Sequence, residues 1–243
     1  MKIAVCLHLF YTDMFDTICD NLNNLKHPFK LYVNLTEGNY DDSIIQKIKE
    51  YHEDSVIIIS ENKGVDIGGF LNTLKVIDKD TDLILKIHTK KGIGSSENPS
   101  ASVRRRGLEY TTRISRGWFN NLMGGVLKDE TFVNNVLNKF ETDQTCGMVG
   151  FRLYDSYAIN KSEIIRLFPL FKMNEQAFNY KFIGGTMFWV RYSIINKYFT
   201  DEVIDFILRN TKPGYVIEPS ISHAVERILG YIVQQENQNI VVM

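Results

Sequence analysis

Cysteine is scarce in this chain, and neither sign of charge is in surplus. Cys6, Cys19 and Cys146 are odd in number and widely spaced. They form neither a disulfide framework nor a metal pattern, and they suit a reducing cytosol. The formal net charge is −1, so bulk electrostatics give no reason to expect a nucleic-acid partner. No stretch approaches the about 20 apolar residues of a membrane span. The opening MKIAVCLHLF is too short and too soon interrupted for a secretory signal. The expectation is therefore a cytoplasmic protein, free or peripheral to the inner face of a membrane. There is no Pro/Gly/Ser linker, internal repeat or low-complexity tract, so residues 1–243 are expected to form a single domain. Zinc-type ligand spacing, a Walker loop and a G-x-S-x-G elbow are all missing, which removes the usual signals of NTPases and hydrolases.

What is present is a 44% hydrophobic fraction, ample for a core, arranged as alternating strand and helix patterns. Lys2 to Phe10 reads as a strand, and a helix from about Met14 to Leu25 follows, with Thr12 or Asp13 placed to cap it. Phe29 to Leu35 is a second strand and Asp41 to Tyr51 a second helix. Val56-Ile57-Ile58-Ile59 is β-branched and lacks alternation, which argues for a parallel strand buried on both faces. A polar turn, Glu61 to Gly69, leads into a helix with Ile67, Phe70, Leu71, Leu74 and Ile77 on one face. Leu83-Ile84-Leu85 begins the next strand, which runs into Lys86-Ile87-His88-Thr89-Lys90-Lys91. This βαβ succession predicts an α/β fold, a Rossmann-like, mostly parallel sheet flanked by helices on both faces. Ligands of such sheets bind at the carboxyl ends of the strands.

Periodicity stops after Lys91. Gly92 to Ser102, GIGSSENPSAS, followed by Val103 and Arg104-Arg105-Arg106, has the composition of a mobile lid or binding loop over about residues 92–106. Helical patterning returns at Glu109 to Leu127 and Asp129 to Phe140, then a short strand at Gly147 to Phe151. Phe182 to Val190 reads as one buried strand containing the pair Gly184-Gly185. A final helix is expected over about Ile221 to Leu229, and a strand-like tail ends in Ile240-Val241-Val242.

Three clusters carry candidate chemistry. Asn62-x-Gly64-x-Asp66-x-Gly68-Gly69 lies between strand and helix, where glycines let backbone approach a ligand and the helix start favours an anion. Its plainer reading is a tight turn with Asp66 as cap, and it lacks the G-x-G-x-x-G spacing of a dinucleotide site. Lys86, His88, Thr89 and Lys90 gather donors at a strand end, suited to phosphate oxygens or a leaving group that gains charge. The alternative is a solvated strand end with snorkelling lysines. Glu218-Pro219 opens the last helix, and Glu218 there can act as a general base. Alternatively Glu218 merely caps the helix, Glu226 and Arg227 are a surface pair, and His223 is a satisfied boundary histidine. Trp118, Phe119 and Trp189 read mainly as core, with sugar stacking as the second reading.

Taken together, HLFY, ENKGVDIGGFL, LKIHTKKG, GGTMFWVR and EPSISHAVERILG resemble the rhamnan synthesis protein F family, in order and spacing over almost the whole chain. The resemblance implies a glycosyltransferase of cell-surface polysaccharide synthesis. More loosely, the chain is similar to inverting glycosyltransferases of the GT-A fold. Asn62 and Gly64 match their asparagine–glycine turn, Gly184-Gly185 their glycine strand, and Glu218 with Arg227 their acidic helix. The departure is at the D-x-D position, occupied in this chain by Ile87-His88-Thr89. A divalent cation, Mn²⁺ or Mg²⁺, is thus left open, with His88 its one candidate ligand.

The resemblance implies a dTDP- or UDP-linked sugar, rhamnose or a related one, and a glycan or lipid-linked glycan acceptor. On that reading His8, Tyr11, Asn62, Gly64, Asp66, Gly68, Lys86, His88, Thr89 and Lys90 bind the donor. Glu218 is the base of an inverting transfer, assisted by His223, while Gly184, Gly185, Thr186, Trp189 and Arg227 face the sugar or acceptor. The alternatives are a nucleotidyltransferase, which needs a carboxylate cluster that the sequence does not display, and a non-catalytic protein that binds a glycan or partner.

Overall fold

The apolar, β-branched runs of the amino-terminal half pair as expected. In the computed structural model, which describes residues 1–91, 108–156 and 158–243 (side chains of 108–116 excepted), β1 (Ile3–His8) lies between β2 (Phe29–Thr36) and β4 (Leu83–His88), parallel to both. β3 (Val56–Ser60) extends the sheet beyond β2 as its edge strand. The burial expected on both of its faces is corrected: Val56, Ile57 and Ile58 are half-buried and Ile59 is 49% exposed, because the strand lies at the margin of the sheet. The sheet has seven strands in the order β3-β2-β1-β4-β8-β5-β9, with β5 at Cys146–Gly150, β8 at Phe188–Arg191 and β9 at Asn239–Val242. Of these seven, β8 alone runs against the others.

Side-chain period two divides the sheet into two cores. Ile3, Val5, Leu7, Leu83, Leu85 and Ile87 face one side. There they pack under α1 (Phe15–Leu22), α2 (Asp42–Tyr51), α4 (Leu108–Leu127) and α5 (Glu130–Thr142). Ala4, Cys6 and Ile84 face the other. That side is covered by α3 (Val65–Leu74), α6 (Lys161–Leu167), α7 (Tyr192–Tyr198), α8 (Asp201–Asn210) and α9 (Ile221–Gln235). The α/β arrangement, a mostly parallel sheet flanked by helices on both faces, is the one anticipated. Among the described residues no helix is long and apolar enough to cross a membrane.

Several boundaries differ from the sequence reading, each for a local reason. A 3₁₀ turn at Thr12–Met14 precedes α1, and neither Thr12 nor Asp13 caps the helix. Asp41 does cap α2, accepting from the backbone of Ser43 and Ile44. The expected strand Phe182 to Val190 is two strands: β7 (Lys181–Ile183) pairs with β6 (Leu153–Asp155) in a separate ribbon, and β8 enters the main sheet. Gly185 at φ +82° and Thr186 at φ +54° turn the chain between them, as paired glycines in a strand pattern permit. β4 runs from Leu83 through Lys86 to His88, so these two lie at the end of the strand as expected. Residues 92–106 lie outside the described residues.

Candidate functional site

Alternation along β4 decides what its charged end can do. Lys86 and His88 point to the face covered by α3 and α9, while Ile87 points to the opposite core. Lys86 is buried to 1% exposure. Its ammonium has three protons and three acceptors: Asp66 Oδ2 at 2.7 Å, the Thr186 carbonyl at 2.9 Å and Thr186 Oγ1 at 3.0 Å. The expectation that Lys86 contacts a donor diphosphate is therefore corrected, because its donors are consumed internally. Thr186 Oγ1 also donates to Asp66. Burial alone would raise the Asp66 carboxyl, but the Lys86 ammonium, together with the hydrogen bonds from Lys86 and Thr186, outweighs it and holds the acid well below its ordinary range. Burial pulls Lys86 downward, opposed by Asp66. Asp66 is an ion-pair partner rather than a free acceptor, although its side chain keeps 21% exposure.

Two strained turns bracket this pair. Gly64 (φ +76°) and Val65 (φ +49°) open α3, while Gly185 and Thr186 form the β7–β8 turn. A β-branched residue at positive φ is a true outlier, costing on the order of 1–3 kcal/mol. Such strain persists where the surrounding contacts impose it, and in this fold both turns close on Asp66 and Lys86. Gly68 and Gly69 are glycines for intramolecular reasons. A Cβ at Gly68 would lie 1.6 Å from the Lys63 carbonyl oxygen, and one at Gly69 would lie 2.3 Å from His8 Nδ1. The reading of Gly68 as a close-approach point for a ligand is corrected accordingly.

His8, His88 and Asn34 sit at one level across β1, β4 and β2. Asn34 donates to Ser60 Oγ at 2.9 Å, so its Oδ1 is the acceptor that faces His8 Nδ1 at 2.8 Å. This places the His8 proton on Nδ1 and leaves Nε2 as a bare lone pair. Among the described residues His8 Nε2, His88 Nδ1 and Asn62 Oδ1 are buried without a partner. Burial holds His8 below its ordinary value and His88 well below it. Thr89 Oγ1 accepts from the Tyr11 backbone at 2.9 Å, and Lys90 is half-buried just beyond β4. His8, Tyr11, Asp66, His88 and Thr89 are thus brought together at the strand ends.

The acidic helix completes the arrangement. Ser220, not Glu218, caps α9, accepting from the His223 N–H. Arg227 is buried and donates to Glu218 and, at 2.7 Å, to Glu226. Glu226 in turn accepts from the Gly185 N–H at 2.9 Å. The Glu226–Arg227 pair is interior, not a surface pair. Both terminal nitrogens of Arg227 are engaged by protein groups, Nη1 also donating to the His223 carbonyl at 2.9 Å, and its side chain is 4% exposed, which corrects its assignment to the acceptor. Among the described residues its Nε is buried without a partner. A continuous chain of polar contacts therefore runs from Glu218 through Arg227, Glu226 and the Gly185–Thr186 turn to Asp66 and Lys86. His223 Nδ1 lies 2.7 Å from Ser220 Oγ, and burial holds the ring below its ordinary value.

Trp189 is elsewhere. Strand parity sends it into the opposite core, fully buried, with Nε1 donating to the Val126 carbonyl at 2.9 Å, so a sugar contact is excluded. Gly184 packs against the Tyr154 ring, where a Cβ would lie 2.6 Å away. Asn62 has a role its motif did not suggest. Its carbonyl accepts from Gly214 at 2.7 Å, and Lys63 bridges Pro213 and Gly214, tying the α3 turn to the segment that carries Glu218. The interior roles of Glu226 and Asn34 were missed by sequence reasoning. A lone arginine among Val225, Ile228 and Leu229, and an asparagine inside an apolar strand, were their signals.

A divalent cation does not fit these residues as they stand. Ile87 faces the core, Asp66 is paired, and among the described residues no group of three or more His, Cys, Asp or Glu side chains could hold a metal.

The family model described as rhamnan synthesis protein F matches residues 1–238. No curated protein matches. Among solved structures, S. aureus TarS 1–349 in complex with UDP is 17% identical, with a TM-score of 0.27 over 36% of this chain and 27% of that one. The chain thus matches about a quarter of the length of that structure, and a likeness so slight bears on neither fold nor function.

Proposed function

The chain belongs to the rhamnan synthesis protein F family, and from that membership we propose that it is an inverting glycosyltransferase of cell-surface polysaccharide synthesis. The donor is a nucleotide diphosphate sugar, dTDP- or UDP-linked, carrying rhamnose or a related sugar. The acceptor is a glycan or lipid-linked glycan. The observation that carries the reading is the polar chain joining Glu218 to the Asp66–Lys86 pair at the strand ends. It holds a carboxylate in fixed relation to the crevice where α/β sheets bind ligands.

Each residue has a task in this reading. His8 Nε2, a lone pair without a protein donor, accepts from a ribose or base group, with Asn62 Oδ1 available beside the turn. Lys90, the Thr89 hydroxyl and the amino-terminal end of α3 face the diphosphate. Asp66, Lys86 and Thr186 hold the two turns in place rather than touching the donor. Glu218, oriented by Arg227, takes the proton of an acceptor hydroxyl. The oxygen bonds to the anomeric carbon as the bond to the diphosphate breaks, and the electron pair leaves with the phosphate. His223 assists at the acceptor. The free thiols of Cys6, Cys19 and Cys146 suit action in the cytoplasm, peripheral to the membrane.

The test is a thermal-shift screen of UDP, dTDP, GDP and CDP, each with and without Mn²⁺, since a ligand of the folded state alone raises apparent stability. One nucleotide is expected to stand out. Response to none of them, under either condition, removes the donor assignment and favours a glycan- or partner-binding protein.

A further inference from the structure

We propose that Tyr215 and its neighbour Ile217 form the platform on which an acceptor sugar ring lies, presenting its hydroxyl to Glu218. The proposal deepens the transferase reading and rests on it for the direction in which the sugar is used. No sequence motif singles these two residues out.

Tyr215 is 63% exposed and Ile217 is 57% exposed. Among the described residues they are two of the few large apolar side chains left uncovered, and they lie within three residues of the candidate base. Ile159, 58% exposed, is on the neighbouring wall. Asn160 beside it accepts from the Ser220 backbone at 3.0 Å, so that wall is fastened to the same segment. Among the described residues the other exposed large apolar side chains are at the termini or at isolated positions such as Ile59 and Val76. Single exposed apolar residues need no explanation, but a group beside a polar crevice does.

The segment is not a loose loop. Gly214 donates to the Asn62 carbonyl at 2.7 Å, and Pro213 and Gly214 bridge Lys63. Downstream, Ser220 caps α9 and contacts His223 Nδ1. Tyr215 is thus held between the α3 turn and the acidic helix. Its ring meets the His223 ring edge-on, with centroids 6.2 Å apart at 82°. One face of an aromatic ring beside an imidazole and a carboxylate matches the two-sided chemistry of a pyranose. The C–H face of the sugar packs on the aromatic, and its hydroxyls bond the polar groups. A bilayer is the poorer occupant, because insertion would carry Glu218 toward the lipid and desolvate it.

The experiment titrates wild type, Tyr215→Phe and Tyr215→Ala with a linear rhamnose oligosaccharide, using calorimetry and saturation-transfer NMR. The exposed side chain contributes little to the core, and circular dichroism checks that each variant folds. Tyr215→Phe keeps the ring and is expected to bind within about twofold of wild type, whereas Tyr215→Ala loses about tenfold or more. In the NMR spectra the C–H protons of one sugar face should receive saturation in wild type and lose it in Tyr215→Ala. Equal affinity of wild type and Tyr215→Ala overturns the platform, as does a wild type that does not bind the oligosaccharide. Association with phosphatidylglycerol vesicles that Tyr215→Ala abolishes, with oligosaccharide affinity unchanged, overturns it in favour of a membrane contact. A protein that binds the sugar through Tyr215 but responds to no nucleotide keeps the platform and loses the transferase.

Discussion

Glu218 and Lys86 carry opposite charges in one polar network, yet substitution should affect them differently. Glu218 keeps 25% of its side chain exposed and has a single described partner, Arg227. Glu218→Gln preserves the shape and removes the proton acceptor. Transfer is expected to fall by about 10²–10⁴, the usual contribution of a general base, while the nucleotide-induced thermal shift is retained. An active Glu218→Gln enzyme would sink the assignment. Lys86 has no exposed surface to trade. Lys86→Met leaves Asp66 without its cation and Thr186 without its donor, and is expected to cost about 3–5 kcal/mol, as for removal of one member of a buried pair. Denaturant unfolding measures this. Pairing Lys86→Met with Asp66→Leu should recover part of the loss, and a double variant no more stable than Lys86→Met alone would argue against the ion pair as the main cause.

At the scale of elements, the β3–α3 turn and the β7–β8 turn set the geometry. The first is built so tightly that α3 starts against its own preceding backbone at Gly68. Gly68→Ala should force the turn open and cost several kcal/mol, at or beyond the about 1–3 kcal/mol typical of overpacking. Gly38→Ala, where a Cβ meets nothing within 4 Å but φ is +71°, should cost about 1–2 kcal/mol through the left-handed backbone alone. Urea unfolding of the two variants compares them, and a Gly68→Ala protein as stable as Gly38→Ala would contradict the close approach of Gly68 to the Lys63 carbonyl. The same turns show what was legible in sequence. Asn62 to Gly69 was readable as a turn because glycine and asparagine have local causes. That the turn at Gly64 meets the turn at Gly185, more than a hundred residues away, was not, because Asp66 meets Thr186 only once β4 and β8 are adjacent. Trp189 failed for a related reason: the face it points to depends on strand pairing across the break at Gly185.

For the molecule as a whole, burial of three imidazoles predicts how stability varies with pH. His8, His88 and His223 are each held below the ordinary value of 6.5, chiefly by desolvation. The unfolded chain therefore binds protons at these positions before the folded chain does. Stability should be full above about pH 7 and fall as pH drops through about 6.5, where the unfolded histidines begin to protonate. Asp66 adds a second loss at lower pH, because its folded value lies below the ordinary 3.8. Urea unfolding between about pH 8 and pH 5 tests this, and a flat profile over that range would mean that the histidines are not buried neutral.

The amino-acid sequence by itself determined the alternation of strand and helix, a sheet with helices on both faces and the family, because each follows from local periodicity or from motif order along the chain. It also located the three clusters, since polar residues inside or beside apolar runs are visible in one dimension. Only the tertiary structure decided which groups they meet. Whether Lys86 meets a ligand or Asp66, whether Arg227 meets an acceptor or Glu218, and whether Trp189 faces the crevice or the core depend on which side chains share a face of the folded sheet. A charge buried at a distance from water must be answered by whatever lies opposite, and what lies opposite is a property of packing rather than of sequence order.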